Sequence, residues 1–148
     1  MKNSFGNSIS TIYRHLQIYV NQEFIKFGFG SGQYLFFVQI AKNDGICQKE
    51  LSQRLMIDKA TTAKAIKKLS ELEYIYSVQN VDDNRSFNIH LTKKGKEILP
   101  EIKKVLRDTT KILQQGLSSG EIDETDKILK QMLNNITGKV NEIRNFNE

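Results

Sequence analysis

Two stretches of this 148-residue chain concentrate positive charge without any acid to neutralise it. Between Lys59 and Lys68 there are four lysines and no Asp or Glu, and between Arg85 and Lys96 four more cations, again with no acid. The net formal charge is only +5, so the clustering carries the signal rather than the total. Cations grouped on one segment are what a polyanion such as nucleic acid requires. Other chemistries find little support. Gly28, Gly30 and Gly32 are not followed by the Gly-Lys-Ser/Thr of a phosphate loop. His15 and His90 are far apart, and no paired Cys or His has metal-ligand spacing. Neither histidine lies in a nucleophile motif, so no enzyme, cofactor or metal is expected. Cys47 is the only cysteine, which excludes an internal disulfide. It reads as a small buried residue, with an oxidant-sensing thiol as the alternative.

Hydrophobic residues make up 39% of the chain and charged residues 26%, enough apolar material for one compact domain. The most apolar stretch, Tyr34 to Ala41, is too short for a bilayer, which needs about 20 residues. The expectation is a cytoplasmic protein with no membrane partner.

The elements that must position the cations follow from periodicity. Ile9, Ile12, Leu16, Val20, Phe24 and Phe27 recur at helical spacing. The three glycines break that helix, and Gln33 to Lys42 reads as a second one, stopped at Asn43-Asp44-Gly45. A short helix, Gln48 to Leu55, and a tight connection at Met56-Ile57 lead to Asp58, a good N-cap for a helix reaching about Glu73. In that helix Ala63, Ile66 and Leu69 are expected inside, leaving Lys59, Thr61, Thr62, Lys64, Lys67 and Lys68 outward or on the flanks. Tyr74 to Gln79 and the alternating Phe87, Ile89 and Leu91 predict a hairpin around a polar turn at Asn80 to Asn84. Thr92 caps a long helix that contains Pro100 and should bend there. Ser118 to Glu121 has capping-box spacing and opens a last helix, with Ile122, Leu129, Ile136 and Ile143 seven apart.

The fold class expected is therefore mainly α with a small β-hairpin wing, a winged helix-turn-helix. Residues 31–96 would form the reading lobe. Residues 1–30 and 97–148 would form a helical dimerisation region, because their apolar surface exceeds what so small a core needs.

The segment Leu51 to Gly95 resembles the MarR family of winged-helix transcriptional regulators. Asp83-Asn84-Arg85-Ser86, five strand residues, then Leu91-Thr92-Lys93-Lys94-Gly95 is similar to that family's wing signature. Asp58-Lys59-Ala60-Thr61-Thr62-Ala63-Lys64 is similar to its recognition helix. Asn84 stands where the family often has a first wing arginine, and Lys64 where it usually has an arginine. Lysine lacks the two-point contact arginine makes with guanine, so base preference would be softer or read through DNA shape.

The resemblance implies a repressor that binds palindromic double-stranded DNA as a homodimer. Lys59, Ala60, Thr61, Thr62 and Lys64 would lie near base edges and phosphates in the major groove, and Lys67 and Lys68 on phosphate. Gln48, Ser52 and Gln53 would donate to phosphate from the preceding helix. Arg85 would enter the minor groove, with Asp83 orienting it or bracing the wing. The resemblance also implies a small aromatic or phenolic effector, for which Tyr13, Arg14, His15, Tyr34 and Phe37 are candidates against ordinary core. A winged helix used for protein–protein contact is the alternative.

Overall fold

The computed structural model describes residues 4–145. Residues up to Thr109 make one compact unit and those from Thr110 a second. In the first unit, α1 (Phe5–Phe24) ends in a 3-10 turn, Ile25–Phe27. Then follow α2 (Gln33–Lys42), β1 (Ile46–Cys47), α3 (Gln48–Leu55), α4 (Lys59–Glu71), β2 (Ile75–Gln79) and β3 (Phe87–Leu91). The long helix α5 (Lys93–Leu113) begins in this unit, and α6 (Ser119–Asn145) lies in the second.

The apolar line on α1 changes character along its length. Ile9 and Ile12 are exposed, whereas Val20, Phe24 and Phe27 are buried in the core. There Phe24, Phe27, Phe29, Tyr34, Phe37 and Tyr74 pack ring against ring at 4.9–6.2 Å, in tilted or edge-on geometries that suit their quadrupoles. The Tyr74 hydroxyl donates to the Phe27 carbonyl at 2.7 Å, which satisfies a polar atom this cluster takes inside. Burial pushes the Tyr74 hydroxyl pKa up, so it stays a donor.

The sheet has three antiparallel strands in the order β1-β3-β2, not the two of a plain hairpin. Gly45, at φ 82°, turns the chain so that its N–H donates to the Ile89 carbonyl, and Ile46 then pairs with Ile89. A two-residue strand is too short to alternate, so periodicity carries no sign of it. Ile89 and Leu91 face the core as expected, but Phe87 is half exposed near the turn.

Helix ends are set by short-range hydrogen bonds. The Asp58 carboxylate accepts the Thr61 N–H, Thr92 Oγ1 accepts the Gly95 N–H, and Ser118 and Glu121 exchange a reciprocal pair. Helix α5 continues through Pro100 as one element. Its inner face is buried at Ile102, Val105 and Thr109, and Ile112 and Leu113 beyond them are exposed. No residue of α6 through Arg144 is buried within the single chain. None of the described helices is long and apolar enough to cross a membrane.

Candidate nucleic-acid interface

Helix α4 presents one cationic face and one buried face. Lys59, Ala60, Thr61, Ala63, Lys64, Lys67 and Lys68 are exposed; Thr62, Ala65 and Leu69 are buried, with Ile66 half-buried against the core. The buried positions step by three and four, as one helical face must. This corrects two expectations. Ala63 points outward, and Thr62 is fully buried, so it is not part of the surface. Two alanines two residues apart look alike to a hydrophobicity pattern, and a threonine is expected outside. Thr62 goes inside because its hydroxyl is doubly satisfied, donating to the Asp58 carbonyl at 2.9 Å and accepting from Ser52 Oγ at 2.8 Å.

That pairing also alters the reading of α3. Ser52 is half-buried and its hydroxyl proton goes to Thr62, so it is not held out for phosphate as expected. Gln48 Nε2 donates to the Lys59 carbonyl at 3.4 Å. Gln53 is exposed. The turn between the helices places Met56 at φ 56°, a left-handed conformation uncommon for a residue with a side chain.

At the N-terminus of α4, Asp58 accepts both the N–H and the hydroxyl of Thr61, at 2.8 and 2.7 Å. Those bonds to the charged form hold its carboxyl below the usual carboxylate range. Thr61 is thus exposed, but its hydroxyl proton is engaged.

The wing is organised by Asn80, the first residue of the expected turn. Its Oδ1 accepts from the Asp82 and Asp83 N–H groups, and its Nδ2 donates to Asn88 Oδ1. Asp83 Oδ1 accepts the Arg85 N–H at 3.0 Å, and the Asp83 carbonyl accepts the Ser86 N–H. Asp83 therefore braces the backbone of the turn rather than pairing with the guanidinium. Arg85 is exposed and has no ion pair among the described residues. Val81, 95% exposed, stands on the same turn.

The base of the wing depends on Gly95. A Cβ there would collide with the Tyr74 carbonyl oxygen, which itself accepts the Thr92 N–H at 3.0 Å. Lys94 Nζ donates to the Leu72 carbonyl at 2.9 Å and lies 5.1 Å from the Tyr74 ring centroid. It serves the joint between α4, β2 and α5, while Lys93 and Lys96 stay exposed.

The five effector candidates fall into two settings. Tyr13, Arg14 and His15 are on the exposed side of α1, where Arg14 donates to Ser10 and Thr11 hydroxyls and His15 Nδ1 lies 2.8 Å from the Thr11 carbonyl. Tyr34 is core, its hydroxyl accepting from Gln17 Nε2, and Phe37 is completely enclosed beside Phe29 and Tyr74. Phe37 is a packing residue in this structure, not the wall of an open pocket. Cys47, expected buried, is half-buried because β1 lies at the sheet edge. Among the described residues no group of three or more His, Cys, Asp or Glu could hold a metal.

Comparison with known proteins agrees with this architecture. The family described as transcriptional regulator SarA/Rot matches residues 14–102. The HTH-type transcriptional regulator YybA of Bacillus subtilis is 30% identical over 134 residues, 90% of this chain and 89% of the relative. A MarR transcriptional regulator from Methanosarcina mazei superposes with a TM-score of 0.85 at 37% identity, over 90% of this chain and 96% of that one. A putative MarR family regulator from Listeria monocytogenes, solved in complex with a 26mer DNA, gives a TM-score of 0.86 at 29% identity, over 94% and 92%. With an exposed basic α4, a braced wing and these relatives, which are regulators and not enzymes, the chain belongs to the MarR-type family of winged helix-turn-helix transcriptional regulators.

Proposed function

We propose that this chain is a repressor that binds a palindromic duplex site as a homodimer. The observation that carries the reading is the outward face of α4, where four lysines and the small residues Ala60, Thr61 and Ala63 are exposed together with no acid between Lys59 and Ser70. Small side chains let a helix come close to base edges, and lysines on its flanks neutralise phosphate. Arg85, on the wing, enters the adjoining minor groove. The complex of the Listeria monocytogenes relative with a 26mer DNA supports DNA as the partner here.

The second copy is supported by apolar surface that the single chain leaves uncovered. On α6, Leu129, Leu133, Ile136 and Ile143 are each more than half exposed. Two copies about a two-fold axis would place two α4 helices about one DNA turn apart, on the order of 10 base pairs between half-site centres. An effector, on this reading, acts by favouring one spacing of those helices, and must bind that spacing more tightly than the other.

The test is a gel-shift titration across a salt series. Binding through several phosphates gives a steep fall of log affinity with log salt, a slope of about −0.9 per phosphate neutralised. A protein-docking winged helix would show no retarded duplex at low salt, which would end the proposal.

A further inference from the structure

We propose that Ser52 and Thr62 form a strut that sets the angle of α4, so that base preference depends on two hydroxyls that never touch DNA. The inference rests on the DNA-binding reading above and adds a positioning role to it. Ser52 Oγ on α3 donates to Thr62 Oγ1 on α4 at 2.8 Å, and Thr62 Oγ1 donates onward to the Asp58 carbonyl at 2.9 Å. One turn earlier on α3, Gln48 Nε2 reaches the Lys59 carbonyl at 3.4 Å. Residues 48 and 52 share a face of α3, so both bonds join that face to the start of α4.

These bonds meet α4 where the exposed surface begins. Asp58, Lys59 and Thr62 span its cap and first turn, the part a helix-turn-helix directs at base edges. Thr62 is fully buried, and Leu51 on α3 and Leu69 on α4 are fully buried members of the core. Apolar packing between α3 and α4 permits sliding over short distances. A directional hydrogen bond inside it selects one setting. Because the chain Ser52–Thr62–Asp58 is directional, both hydroxyl protons are assigned: Thr62 donates to the carbonyl, which accepts only, and Ser52 donates to Thr62. Neither hydroxyl has a proton left for phosphate.

The strut makes a prediction that a phosphate contact does not. If Ser52 and Thr62 act as one unit, losing either loses the whole effect, and their substitutions are not additive. The experiment is a double-mutant cycle with Ser52→Ala, Thr62→Val and the double variant, reading affinity for a selected duplex and base preference from a random pool. Each single variant is expected to weaken binding about fivefold, on the scale of one neutral hydrogen bond, and the double variant by no more than about the same factor. Base preference should shift in all three in the same way. Thr62→Ser, which keeps the hydroxyl, should restore the parent's preference.

An additive cycle with unchanged preference would show Ser52 donating to phosphate and overturn the strut. So would a Thr62→Ser variant as altered as Thr62→Val, since the methyl rather than the hydroxyl would then matter. Thermal unfolding of each variant separates loss of fold from change of angle, and Ser52→Ala, at a half-buried position, still reads the shift in base preference by itself if Thr62→Val unfolds. Failure of the parent to bind any duplex would instead overturn the DNA-binding reading itself.

Discussion

Charge at single residues has opposite uses in this protein, depending on whether a partner is already present. Asp83 and Arg85 are two residues apart, yet the carboxylate is committed to the Arg85 backbone N–H and the guanidinium is left exposed. On the proposed reading, Arg85→Ala should reduce affinity by about tenfold at sites flanked by A·T pairs, where the minor groove is narrow and its potential strongest. Competition between A·T-flanked and G·C-flanked duplexes measures this, and equal loss on both would remove the minor-groove role. Asp58 offers a second test. Its bonds to Thr61 lower its pKa in the folded state, so the cap's stabilisation is present above the ordinary carboxylate pKa and is lost as pH falls through the lowered folded value. Asp58→Asn keeps a capping oxygen but does not titrate. The gap in melting temperature between parent and Asp58→Asn should therefore change only below about pH 4. A gap that is constant down to acid unfolding would mean the carboxylate is not titrating against this cap.

Between elements, the arrangement turns on close approaches that allow no extra atom. Gly95 lies within α5, where alanine would ordinarily stabilise by up to about 1 kcal/mol through helix propensity. Here the added methyl meets the Tyr74 carbonyl, a backbone atom fixed by Thr92 and unable to rotate aside. The steric cost should win, with Gly95→Ala losing about 1–3 kcal/mol net, the usual range for overpacking. Urea unfolding decides it, since a stabilised variant would show that α5 can shift off β2 freely. The resemblance identified this glycine by its place in a motif, and the structure supplies the reason. The same joint holds Lys94, whose ammonium is tied to the Leu72 carbonyl, so counting it with the free cations of the wing overstates the charge available to DNA.

For the molecule as a whole, the uncovered apolar surface is the feature to explain. The stripe on α6 and the first half of α1, with Ile9 and Ile12, are exposed in the single chain, and such surface in water favours association. If a second copy covers α6, Leu133→Glu should convert a dimer to a monomer in analytical ultracentrifugation while leaving helix content unchanged. Its salt slope on DNA should fall by about half, because each chain would then neutralise phosphate alone. A Leu133→Glu protein that remains dimeric would place the interface elsewhere.

What the sequence by itself determined was whatever depends on neighbours three or four residues away. The bounds of α2 and α3, the caps at Asp58, Thr92 and Ser118, and the turn between β2 and β3 are all local hydrogen-bond or periodicity signals, and all are observed. What only the tertiary structure decided depends on partners distant along the chain. Strand β1 exists because Ile46 finds Ile89. Thr62 turns inward because Ser52 waits there with a proton, which rotates the assignment of Ala63 and Ala65 and takes two residues out of the expected surface. Phe87 continues the alternation of Ile89 and Leu91 but is half exposed, since the core ends before the strand does. Periodicity names a face of a helix or strand. Whether that face is covered is fixed by the atoms that arrive to cover it.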